Sequence, residues 1–222
     1  MSTETISTVV EKEVAKTSEP LFSKKNRKLI KNPLDADNPI TVQVLGVCSA
    51  LAVTVKLVPT LYMCVSVLLV LIFANLTISL MRNVIPGRIR IIVQLLIVAS
   101  LVAVVDQVLQ AYVFQVSKTL SVFVGLIITN CIIMGRLEAF AMANKPWPSV
   151  LDAIGNGLGY SVILIAVAFF RELFGSGSLF GYSIFGESYT GNGVMMSPVG
   201  AAIVLGLLIW AQRARNGYSE ES

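Results

Sequence analysis

From Leu57 to Met81 the chain carries no charged residue. A helix over these positions is longer than the ~20 residues that cross ~30 Å of hydrocarbon. Backbone polar groups in lipid are satisfied only inside a helix or a closed barrel, so a run of this length points to a membrane-spanning helix. Further apolar stretches recur at 40–55, 91–113, 119–135, 151–171 and 198–212. Six membrane segments are therefore expected, the first, fourth and last of them short. Composition agrees: 55% of 222 residues are hydrophobic and 14% charged, against roughly a quarter charged in a soluble domain. The expected fold is an all-α polytopic membrane protein, with a flexible polar tail at 1–36, a six-helix transmembrane domain at 37–215 and a C-terminal tail at 216–222. No apolar core precedes Leu21, which argues against a cleaved signal peptide.

If all six segments cross, both termini and the loops after the second and fourth spans share one side. That side holds all 17 lysines and arginines except Lys56, Lys118 and Arg171, so the positive-inside rule places both termini in the cytoplasm. The net charge of +4 thus reports topology and contact with anionic lipid headgroups. Basic residues spread over four segments do not form a nucleic-acid surface.

Each half of such a chain has three crossings, an odd number, so the second half is inverted relative to the first. Aligning Cys48 with Cys131 puts each thiol in the first span of its half, within Gly46-Val47-Cys48-Ser49 and Thr129-Asn130-Cys131-Ile132, although identity between the halves is weak. A long second span ends on arginine in both, Arg82 and Arg171. At 1.5 Å per residue, Cys48 lies ~12 Å beyond Ile40 and Cys131 ~18 Å beyond Thr119, each about half of the hydrocarbon depth. Inverted repeats set short or broken helices face to face at the midplane, with the functional site between them. The two thiols are expected to meet there.

Several chemistries compete for such a pair. A disulfide at the midplane has little access to oxidants. A single cysteine is most simply a small buried hydrophobe, and Cys64, whose repeat partner is Trp147, is read that way. Zinc takes the same ligands but has no evident purpose deep in lipid. Iron–sulfur clusters take four thiolates, so two from this chain call for two from another subunit. The repeat-matched pair favours this last reading, a redox centre bridging subunits.

The stretches Asn38 to Thr54, Phe123 to Arg136 and Phe170 to Gly181, with Val104-Val105-Asp106-Gln107, closely resemble the family of D subunits of sodium-translocating NADH:quinone oxidoreductases. The resemblance runs from about Asn32 onward, and the extended N-terminal tail departs from it. It implies two inverted three-helix repeats with half-helices in the first and fourth places, packed against the homologous E subunit. It also implies a 2Fe-2S cluster ligated by two cysteines from each, here Cys48 and Cys131. The complex so implied has six subunits, the others being A, B, C, E and F, in the bacterial inner membrane. It passes electrons from NADH through flavins to ubiquinone while exporting sodium. This chain would be a conduit in that respiratory translocase. It has no histidine and no G-x-G-x-x-G fingerprint between a strand and a helix, so neither a Rossmann nicotinamide site nor histidine-based acid–base catalysis is expected here. Independent NADH or quinone chemistry is not expected of this chain, nor covalent binding of the NAD(H), flavins and ubiquinone of the complex. Two alternatives stay open: a membrane subunit of the Rnf-type ferredoxin:NAD oxidoreductase, and an inverted-repeat secondary transporter with no redox centre.

Asp106 is the lone carboxylate well inside a long apolar run, and intramembrane ionisable groups are candidates for ion pathways. A position near the outer headgroups, beside Gln107 and Gln110, is the simpler account. Glu138 and Glu172, beside Arg136 and Arg171, are expected to form surface pairs. Gly155-Asn156-Gly157-Leu158-Gly159 is expected to allow close helix packing, and without a P-loop lysine it does not cradle phosphate. Gly175 to Ser178 and Gly186 to Gly193 are expected to make tight turns or a re-entrant excursion. Pro146-Trp147-Pro148 reads as an interfacial anchor and helix stop.

Overall fold

The computed structural model describes residues 29–30, 32–34, 37–83, 85–112, 125–179, 182–183 and 191–216. Most of the expected 1–36 tail, the 217–222 end, the start of the fourth segment at 119–124 and the loop at 184–190 lie outside the described residues. The described chain is helical: α1 Val47–Val53, α2 Leu57–Met81, α3 Arg90–Tyr112, α4 Cys131–Arg136 continued by a π-helical turn Leu137–Ala141, α5 Pro146–Ser176, α6 Gly193–Met196 and α7 Pro198–Asn216. A two-residue hairpin, β1 Ser178–Leu179 with β2 Tyr182–Ser183, is the exception. Among the described residues three helices, α2, α3 and α5, are long and apolar enough to cross a membrane.

The centre of the molecule is α2 against α5. Met63, Val67, Leu71 and Ala74 of one and Tyr160, Leu164 and Val167 of the other are buried. Gly157 brings the two together, since a Cβ there would overlap the Leu68 side chain. Gly155 and Gly159 meet the backbone of Leu29 and Pro33 in the same way, so the glycine string serves packing as expected. α3 turns Ile91, Ile92, Leu96 and Val104 outward, an arrangement suited to lipid. Pro146 sits at the start of α5, where a missing N–H costs nothing because that donor has no intrahelical partner. The Pro146-Trp147-Pro148 motif therefore starts a helix and does not stop one. Gly177, at φ 65°, closes α5 in the left-handed region.

The first and fourth segments are both broken helices. The first does not run helically from Ile40: the Asn38 side chain accepts from the Ile40 N–H at 3.0 Å, and turns continue until Gly46, at φ 81°. The fourth is helical at 125–128, breaks at Asn130 and restarts at Cys131. A rise counted from Ile40 or Thr119 thus takes as continuous a helix that is interrupted.

From these breaks the chain runs in opposite directions. α1 leads away from Ser49, bonded to Tyr160, to Thr54, bonded to Arg171. α4 leads from Asn130, also bonded to Tyr160, to Arg136, paired with Asp152. Along α5, Asp152 and Arg171 are ~28 Å apart in rise, and Tyr160 is ~12 Å from the first and ~16 Å from the second. Two short helices start near the middle of a membrane-spanning helix and end toward its opposite ends.

Candidate intramembrane thiol site

Cys48 and Cys131 stand at the first turns of α1 and α4. Each is exposed, and in each helix the next two residues are buried: Ser49 and Ala50 after the first, Ile132 and Ile133 after the second. The shared pattern turns both sulfurs away from the core of their own chain. Cys64 is buried in α2 with Sγ 4.0 Å from the Ser161 carbonyl oxygen, consistent with packing.

Behind the thiols lies a closed polar network. Ser49 Oγ is 2.6 Å from the Tyr160 hydroxyl, and Asn130 Nδ2 donates to Ser49 Oγ at 3.4 Å and to the Tyr160 oxygen at 3.3 Å. All three residues are buried. Ser49 and Asn130 each adjoin one of the cysteines in sequence, so the network ties the two thiol-bearing helix starts together. Gly46 completes it, because a Cβ there would stand 2.8 Å from the Tyr160 ring, and φ 81° disfavours a side chain in any case.

Among the described residues, no group of three or more histidine, cysteine or acidic side chains is placed to hold a metal ion. Two outward thiols are half of the donor set an iron–sulfur cluster takes. They fit a cluster completed by thiols from another chain, and they do not fit one held by this chain alone.

The charged residues fall differently from the sequence expectation. Arg136 pairs with Asp152, its Nε donating at 2.9 Å, and both are largely buried. Asn156 donates to the same carboxylate at 3.0 Å, while its own Oδ1, buried, has no hydrogen-bond partner among the described residues. These groups with Gln43, Asp37 and Asn32 line a polar cleft of about 230 Å³. Glu138 pairs with Arg90 and accepts from Gln94 at 3.1 Å; its expected surface partner Arg136 is committed to Asp152. At the other end Arg171 and Glu172 are buried and not at the surface. Glu172 accepts the Leu57 N–H at 2.6 Å, capping α2. Arg171 makes five hydrogen bonds, to the carbonyls of Leu51, Met195, Met196 and Ser197 and the hydroxyl of Thr54. Asp106, half-buried on α3, accepts from Gln110 at 2.8 Å one turn away, outside this cleft. Asp152, at the edge of the fifth apolar run, is the functional candidate that the sequence expectation lacks; its spacing of four from Asn156 is the local signal that marks it.

Residues 26–209 match the family described as Rnf-Nqr subunit, membrane protein. The chain belongs to the Rnf-Nqr family. Among curated relatives, the D subunit of the Na(+)-translocating NADH-quinone reductase of Proteus mirabilis is 58% identical over 86% of this chain and 94% of its own length. The corresponding proteins of a Shewanella species and of Psychromonas ingrahamii carry the same description. Both are 56% identical, over 86% and 84% of this chain and 93% and 91% of their own. All of the thiol site, the Arg136–Asp152 cleft and the Arg171 cradle lie inside the Rnf-Nqr match.

Proposed function

We propose that this chain is the D-type membrane subunit of a sodium-translocating NADH:quinone reductase in the bacterial inner membrane, with both termini cytoplasmic and its six segments arranged as two inverted repeats. The description of its relatives and their identity over nearly their whole length support the assignment. The basic residues Arg136 and Arg213, which reach Asp152 and the Thr41 carbonyl oxygen, gather at the end that the positive-inside rule assigns to the cytoplasm.

In this reading Cys48 and Cys131 are two of four ligands of a 2Fe-2S cluster shared with the homologous E subunit, and the A, B, C and F subunits complete the assembly. The observation that carries it is the pair of outward thiols at the common origin of two oppositely directed half-helices. When bound, such a cluster supplies a one-electron stopping point within the membrane. The residues of this chain hold the thiols in place and exclude water, and NADH, flavin and ubiquinone react elsewhere in the complex. Replacing either cysteine with serine in the purified complex is expected to remove about two irons per complex, the content of one 2Fe-2S cluster, while every subunit remains present. Full iron content after both changes would reject the ligand assignment. A Rnf-type relative would keep the cluster and take electrons from ferredoxin in place of NADH.

Sodium is substrate. The Asp152 carboxylate, the unpartnered Asn156 Oδ1 and the Gln43 amide offer the oxygen donors a hard cation requires, provided that Arg136 moves aside. Asp106 is the second candidate. Asp152→Asn is expected to raise the sodium concentration for half-maximal quinone reduction about tenfold, the effect of ~1.4 kcal/mol in binding. Asp106→Ala with an unchanged sodium response would remove Asp106 from the route.

A further inference from the structure

The two hydroxyl hydrogens in the network behind the thiols can be assigned. Ser49 Oγ has one hydrogen and gives it to the Gly46 carbonyl oxygen at 2.8 Å. The 2.6 Å contact between Ser49 and Tyr160 must then be donated by the tyrosine. Asn130 Nδ2 donates toward both hydroxyl oxygens, at 3.4 and 3.3 Å, while its Oδ1 accepts the Ile132 N–H at 3.3 Å. Both helix starts are thus bonded through one side chain on a third helix, with no water in the hydrocarbon region to replace a missing partner.

We propose that Tyr160 is the positioning residue of the thiol site: its hydroxyl, locked between Ser49 and Asn130, fixes the separation of Cys48 and Cys131. The inference rests on those cysteines being cluster ligands and says which group of this chain sets their spacing. Three features converge on it. The Tyr160 ring, fully buried, holds Gly46 in its left-handed turn two residues before Cys48. Its oxygen accepts from the residue before Cys131 and donates to the residue after Cys48. α5, which carries it, is anchored by the five hydrogen bonds of Arg171, so the clasp cannot drift along the membrane normal. Cluster potential follows nearby hydrogen bonds and solvent exposure, so a loosened clasp registers in the potential before it registers in the fold.

The test uses the intact purified complex with Tyr160→Phe, which removes the hydroxyl and keeps the ring, and with Ser49→Ala and Ser49→Thr. Electron paramagnetic resonance during a redox titration is expected to show, for Tyr160→Phe and Ser49→Ala, a broadened cluster signal and about a tenfold change in the ratio of reduced to oxidised cluster at fixed potential, equivalent to ~59 mV for one electron. Ser49→Thr, which keeps a hydroxyl, is expected to restore the parent line shape and potential. Wild-type line width and potential in both Tyr160→Phe and Ser49→Ala would overturn the proposal. If Tyr160→Phe does not assemble, the contrast between Ser49→Ala and Ser49→Thr decides alone, and failure of threonine to rescue counts against the clasp. Cys48→Ser and Cys131→Ser run in parallel: a cluster signal surviving both rejects the ligand assignment, and the clasp with it, whereas their loss of signal alongside silent Tyr160→Phe and Ser49→Ala variants rejects the clasp only.

Discussion

Two largely buried arginines, Arg136 paired near the start of α5 and Arg171 borne near its end, are handled in opposite ways. Arg171 is held by four carbonyls and a hydroxyl, each a neutral group that stays where the backbone puts it. Arg136 meets a carboxylate in a cleft that also contains an amide oxygen with no partner among the described residues. The first arrangement draws on every nitrogen of the guanidinium and fixes the end of α1 and the turn into α7 against α5. The second is a charge pair with a spare acceptor beside it, the donor set that the proposed sodium route would use. One end is therefore built as an anchor, and the other keeps an acceptor in reserve.

The sharpest way to break this contrast is to remove the anchor. Arg171→Leu leaves five acceptors without their donor, at ~1–3 kcal/mol for each that is buried, and no assembled complex is expected on gel filtration. Arg171→Lys should rescue only in part, since an ammonium has three donors and no fork. Recovery of full yield with leucine would show that the cradle is dispensable. At the other end, Asp152→Ala strands a largely buried guanidinium and is expected to cost ~3–5 kcal/mol, read as a lower melting temperature of the complex. Adding Arg136→Gln should return most of that loss without restoring the sodium response; a double variant as unstable as the single one would mean that the pair is not the cause. Between the ends, Gly46→Ala forces a side chain into a left-handed turn and against Tyr160, for ~1–2 kcal/mol from the turn alone. It should also broaden the cluster signal. Asp106→Ala, on a half-exposed face where Gln110 donates to the carboxylate, is expected to change stability by no more than ~0.5 kcal/mol in thermal unfolding of the complex.

The fold was legible in the sequence where a simple period or a charge rule applies. The uncharged run from Leu57 to Met81 is α2 residue for residue, because length and apolarity in lipid leave one solution. The pairing of Cys48 with Cys131 through a weak repeat puts both at broken helices. The place of each break was not legible, since Gly46 and Asn130 are ordinary residues until Tyr160, far away in the chain, packs against them. The charged side chains were misplaced for a related reason. Adjacency in sequence suggested that Glu138 and Glu172 would pair with Arg136 and Arg171, but successive residues on a helix do not face each other, and partners arrive from other helices. Asp152 carries one local mark, its spacing of four from Asn156, while its charged partner Arg136 lies across a turn, outside any helical period.

Whether the outward thiols of α1 and α4 meet thiols of a sister subunit around iron is tested most directly by a density map of the complete complex, resolved to the level of side chains. The Sγ atoms of Cys48 and Cys131 are expected to be bonded to one compact, strong density that also contacts two sulfurs from the neighbouring subunit, with Tyr160 behind them. Sulfurs pointing into lipid, or well separated with no iron density between them, would contradict it.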